Sequence, residues 1–167
     1  MADAYAGVEG RSAWKYQYSV TPSLHGSELE PLYDPYTTTG TGTNAVFRVA
    51  MQWIWGNFIT TGDPTLTTAQ NGPTDGGNIT AAVTGVWSQW GGSAGQDWML
   101  NLNMTGGSPV VTQQTFDGVV VDVVSYVDSN GIDAPLKTDF TVVEGYSWEG
   151  GRGARCELWA DLGPWAM

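Results

Sequence analysis

A chain of 167 residues with 41% hydrophobic content, 9 Trp, 7 Tyr and 4 Phe is too apolar for a disordered tract and long enough for one domain of ordinary size. Its 17 acidic against 6 basic residues give a net charge of −11, which repels phosphate backbones and anionic membrane surfaces and argues against nucleic acid as a partner. With 23 Gly and only 14% charged residues, turns and loops are expected to outnumber long solvated helices.

The opening, Met1 to Ala13, mixes Gly, Ala and charge without a period and reads as a loop. It lacks a basic start followed by an apolar stretch, and no window reaches roughly 18 apolar residues, so neither a signal peptide nor a membrane span is expected. Trp14, Tyr16 and Tyr18 then alternate with Lys15, Gln17 and Ser19 before Val20, the period of a strand with one aromatic face. Thr21-Pro22 ends it, because proline cannot donate to a ladder. Ser23 to Glu28 follows as a glycine-bearing loop holding the chain's one histidine, His25. Imidazole both takes and gives a proton near neutral pH, which makes His25 the leading candidate for acid or base chemistry. Glu28, three residues on, is a candidate to orient it, with a solvated loop carboxylate the favoured reading, and Leu24, Gly26 and Leu29 are the candidate pocket residues around it.

Asp34 to Thr43 is turn-forming, and Asn44 is a good N-cap for a helix from Ala45 to about Ile59. The apolar positions of that helix wrap most of its circumference, so cover on several sides is expected. Gly62-Asp63-Pro64 terminates it. Thr65 to Thr84 reads as a long polar loop. Asp97 to Met104 reads as a strand with Trp98, Leu100, Leu102 and Met104 on one face, closed by Gly106-Gly107. Further strands are expected at Val119 to Val127 and Phe140 to Val143, with a turn at Ser129-Asn130-Gly131 between them. No internal repeat or boundary divides the chain, so 1–167 is read as a single unit.

Four patterns bear on chemistry. Gly91-Gly92-Ser93-Ala94-Gly95 fits the G-x-S-x-G nucleophile elbow, but a strand pattern instead of a helix follows it, and Ser93 comes after His25 where elbow enzymes place serine first. Ser93 is therefore read as a decoy. Asn78 and Asn103 begin N-x-[ST] sequons and are glycosylation candidates in a secreted protein. Cys156 stands alone, which rules out an intrachain disulfide, and with a single His the chain offers no metal-site spacing. Gly150 to Gly153 reads as a structural turn in preference to an anion nest.

Four stretches, WKYQYSVTPSLHGSEL, FRVAMQWIWGNFITTGDP, LNLNMTGG and FTVVEGYSWEGGRGARCELWADLG, in this order and spacing resemble the C-terminal third of the fungal type-B carboxylesterases and lipases, of the cholinesterase-like α/β-hydrolase branch. The likeness runs from about Ala4 to Gly163. It implies an α/β class, the C-terminal portion of an α/β-hydrolase fold: last central strand, His loop, covering helix and a β-rich extension. Taken alone, the chain would be α+β. The resemblance places the triad histidine on His25, acting on carboxylic esters without a cofactor or metal, and implies an extracellular, glycosylated protein. The family's nucleophile, acid and oxyanion loop have no counterpart in this sequence. The expected partners are thus an ester or other apolar small molecule and a missing N-terminal portion or second chain. Two alternatives stay open: a non-hydrolytic relative that binds an apolar small molecule or transfers protons through His25, and a module that pairs its open sheet edge with a partner.

Overall fold

The computed structural model describes residues 2, 6, 8–33, 43–70, 75–91, 97–128 and 135–162. They form an α+β arrangement of two small sheets and three helices. In chain order the elements are β1 (Tyr16–Tyr18), α1 (Leu29–Tyr33), α2 (Ala45–Thr61), β2 (Trp98–Thr105), β3 (Ser108–Phe116), β4 (Val119–Val127), β5 (Lys137–Glu144) and α3 (Trp148–Leu162).

The first sheet has the order β1-β2-β5, with β1 parallel and β5 antiparallel to the central β2. Its register sets Tyr16 beside Leu100 and Tyr18 beside Leu102, with Val142 and Phe140 across from those two leucines. Registered partners share a sheet face, so one face carries a continuous aromatic and aliphatic surface. Helix α2 covers it: Phe47 meets Tyr18 and Phe140 edge-on at 5.9 and 5.3 Å, and Tyr16 meets Trp55 at 6.2 Å. Burial of Phe47, Met51, Leu100, Leu102 and Phe140 stabilises this core by about 2 kcal/mol per side chain.

Helix α2 forms where its termini say it should. Asn44 accepts from the Phe47 amide at 2.9 Å, and Gly62, in the left-handed region at φ 78°, donates to Phe58 O at 2.9 Å. Its buried positions Phe47, Ala50, Met51 and Ile54 follow the single-stripe spacing of an amphipathic helix. Trp53, Phe58 and Ile59 are exposed, which corrects the expectation of cover on several sides.

The segment after α2 is more ordered than a plain loop. Leu66 bridges Val83, and Asn78 extends the sheet at Asp139, donating to Thr138 O at 2.7 Å and accepting from Phe140 N at 2.8 Å. Asp75 ties this segment to the start of α2. Its Oδ2 accepts from Asn44 Nδ2, Thr138 N and Thr138 Oγ1 at 2.7, 2.8 and 2.8 Å. Gly77 lies against the Thr138 backbone so closely that no Cβ fits there.

Strand β2 differs from the expected one-faced strand: Met99 and Asn101 are buried as well as Leu100 and Leu102. A central strand loses its solvent face, and alternation in sequence cannot report that. Strands β3 and β4 form a separate two-stranded ribbon, turned at Asp117-Gly118 (φ 49° and 82°). In α3 the first turn is left-handed at Glu149, Gly150 and Gly151, so of the expected turn Gly150 to Gly153 only the first two residues turn the chain, and Arg152 and Gly153 continue into the helix. Cys156, on the regular part of this helix, is exposed.

Candidate functional site

His25 stands on the turn beyond the carboxyl end of β1, and the local hydrogen bonds explain why the turn holds its shape. Ser23 donates from its amide to Val20 O at 2.8 Å and from Oγ to Tyr18 O at 2.7 Å. Those bonds offset the cost of a left-handed Ser23 (φ 54°), of order 1 kcal/mol for a residue with a Cβ. Ser27 N donates to Leu24 O and Leu29 N to Gly26 O, both at 3.0 Å, and Gly26 supplies the φ of 79° that this reversal requires.

Beyond the turn, α1 is anchored to α2. Arg48 Nη2 lies 3.0 Å from Glu30 Oε1, and Arg48 Nε donates to Thr43 Oγ1 at 3.1 Å. Gln52 Nε2 reaches the carbonyls of Pro31 and Leu32 at 3.5 Å. The histidine turn is therefore clamped at both ends, by β1 and by the α1 anchor.

The turn borders a recess of about 350 Å³ lined by the strand residues Tyr16, Gln17 and Tyr18 and the turn residues Ser23, Leu24, His25, Gly26 and Glu28. Three of the candidate pocket residues, Leu24, Gly26 and Glu28, are thus brought together with His25, whereas Leu29 lies outside the lining and is 51% exposed. His25 is exposed and makes no hydrogen bond or ion pair among the described residues, and Glu28 is not paired with it. Glu28 instead acts at a distance on the phenols. Burial, followed by the carboxylates of Glu30 and Glu28, holds the Tyr18 hydroxyl well above its usual range, against the opposing pull of Arg48. Burial and then Glu28 raise Tyr16 in the same direction. Both phenols remain proton donors at neutral pH.

Tyr16 and Tyr18 are members of the recess that reasoning from the sequence did not name. The signal was the alternation of β1, which puts both rings on one face immediately before the loop. Between them Gln17, which also lines the recess, accepts at Oε1 from Arg152 Nη1 of α3 at 3.0 Å.

Ser93 lies outside the described residues. Asn78 is exposed, with Oδ1 accepting from Thr80 N at 2.9 Å, while Asn103 sits half-buried on β2 opposite Asp139. Among the described residues no group of three His, Cys, Asp or Glu side chains is placed to hold a metal, and no helix is long and apolar enough to cross a membrane. Comparison with protein-family models, with curated proteins and with solved structures finds no match to this chain.

Proposed function

We propose that this chain is the histidine-bearing portion of a serine carboxylesterase or lipase of the α/β-hydrolase type, completed by a nucleophile, an acid and oxyanion donors from another polypeptide region. The reading rests on one observation: an exposed, unpaired His25 on a hydrogen-bonded turn at the carboxyl end of an edge strand, β1, whose neighbour β2 runs parallel to it. In that role His25 takes the serine proton during attack on the ester carbonyl and returns it to the leaving alcohol. Without the other members the histidine contributes little, because triad residues act as a unit. An extracellular, glycosylated protein follows from the same resemblance.

The test is hydrolysis of p-nitrophenyl butyrate. The chain alone is expected to show only background hydrolysis. Co-expression with the N-terminal two-thirds of a type-B carboxylesterase is expected to restore turnover, and His25→Gln to remove it by about a thousandfold or more. Restored turnover indifferent to His25→Gln would sink the assignment.

A second reading, proton transfer by His25 without a serine, is favoured by Glu28, Tyr16 and Tyr18 sharing its recess. Exchange of an α-proton of a ketone substrate into deuterated water by the chain alone, lost in His25→Gln, would separate it from the first.

A further inference from the structure

A second concavity lies between the start of β1 and the outer half of α2, and it shares Tyr16 with the histidine recess. Its volume is about 580 Å³, within the range of small-molecule sites. The walls come from separate parts of the chain: Trp14 and Tyr16 from the β1 segment, Ile54, Trp55 and Phe58 from α2, and Trp87 from the connection to β2. Two edge-to-face pairs, Trp14 with Phe58 at 6.3 Å and Tyr16 with Trp55 at 6.2 Å, fix the rings that frame it. Trp87 and Ile54 are 3% and 4% exposed, so the wall is packed from behind.

We infer that this cavity binds an uncharged small molecule with an aromatic or bulky aliphatic body. The size favours a small molecule over a polypeptide, which would need a longer track. The wall chemistry bears on the charge: among the described residues no lining side chain is ionisable at neutral pH, so a charged ligand would lose its hydration without gaining a counter-charge there. The net charge of −11 further disfavours anions. Binding here does not use His25, so its failure and the failure of the esterase reading are separate results.

The full chain is titrated with an uncharged naphthyl ketone dye, 6-propionyl-2-dimethylaminonaphthalene, and with the anionic 1-anilinonaphthalene-8-sulfonate, reading dye emission and energy transfer from tryptophan. The uncharged dye is expected to saturate at one per chain with micromolar affinity, at least about tenfold tighter than the sulfonate. Ala13→Phe, which places a ring in the cavity from its wall, is expected to weaken the uncharged dye by about tenfold or more, with an unchanged far-ultraviolet spectrum and melting temperature. Ile54→Ala, which enlarges the cavity, serves as the second variant and is expected to retain saturable binding. Absence of saturation, equal affinity for both dyes, or an Ala13→Phe variant that folds and binds as before would overturn the proposal. So would a chain that dimerises in solution and frees its cavity for dye only on dissociation, since the occupant would then be polypeptide.

Discussion

Arg48 places its guanidinium 3.0 Å from the carboxylate of Glu30 while being only 2% exposed itself, and this ion pair, beside the Gln52 bonds to Pro31 and Leu32, links the helix that covers the sheet to the short helix that follows His25. A buried guanidinium is costly unless held by hydrogen bonds, and here Thr43 provides a further acceptor.

Replacing that guanidinium is expected to loosen the histidine turn. Arg48→Leu should cost about 3 kcal/mol in urea unfolding. Glu30→Ala should cost as much or more, since it leaves the buried Arg48 guanidinium without its counter-charge, whereas Arg48→Leu leaves a Glu30 that is 31% exposed and meets water. A double-mutant cycle should show a coupling of about 1 kcal/mol or more. The His25 amide should lose order in nitrogen relaxation in either single variant, while amides in β3 and β4 stay as they are. A coupling near zero would show that the two side chains are neighbours without being partners.

Asp75 predicts an acid limb in the stability curve. Burial by itself would raise its carboxyl, but hydrogen bonds from the Thr138 amide, the Asn44 side chain, the Gly77 amide and the Thr138 hydroxyl outweigh it and hold the group below its ordinary value. A carboxyl depressed on folding contributes stability that is present above its unfolded pKa, near pH 4, and lost as pH falls through the lower folded value. Asp75→Asn should therefore lower stability at pH 7 and flatten the dependence below about pH 4. Urea midpoints at several pH values check both parts, and an unchanged acid limb in the variant would assign it to other carboxyls.

The two sequons should behave differently. Asn78 is exposed at its bridge to Asp139, just before the 3-10 turn Thr80–Ala82, whereas Asn103 is half-buried within the central strand β2. Secreted from a glycosylating host, folded chain should carry glycan at Asn78 and lack it at Asn103, as read by peptide mass spectrometry. Folded protein with full occupancy at Asn103 would contradict the placement of that side chain.

Local chemistry made some elements readable from the sequence and left others hidden. Helix α2 was legible because Asn44 and Gly62 mark its ends and the apolar spacing fills the interval. The strand β4 was legible from its valines, but β3 was not: Ser108–Phe116 carries Pro109 and Gln113-Gln114, and its state is set by pairing with β4. The Asp117-Gly118 dipeptide was the available clue, since both residues of such a turn need positive φ. The second buried face of β2 had no local signal, because neighbouring elements decide it. For the histidine recess, His25, Leu24, Gly26 and Glu28 were within reach of a sequence reading as consecutive loop residues. The part of Tyr18 depended on Glu30 and Arg48, which only the packing of α1 on α2 brings near.

The hydrogen bonds inside the 23–29 turn carry a consequence for association. Ser23, Ser27 and Leu29 already satisfy the local carbonyls, so the turn has spent its backbone freedom during folding. A partner or substrate that meets His25 then loses side-chain rotation alone, and the ordering of a mobile loop, of order 1 kcal/mol per residue, does not weaken the encounter.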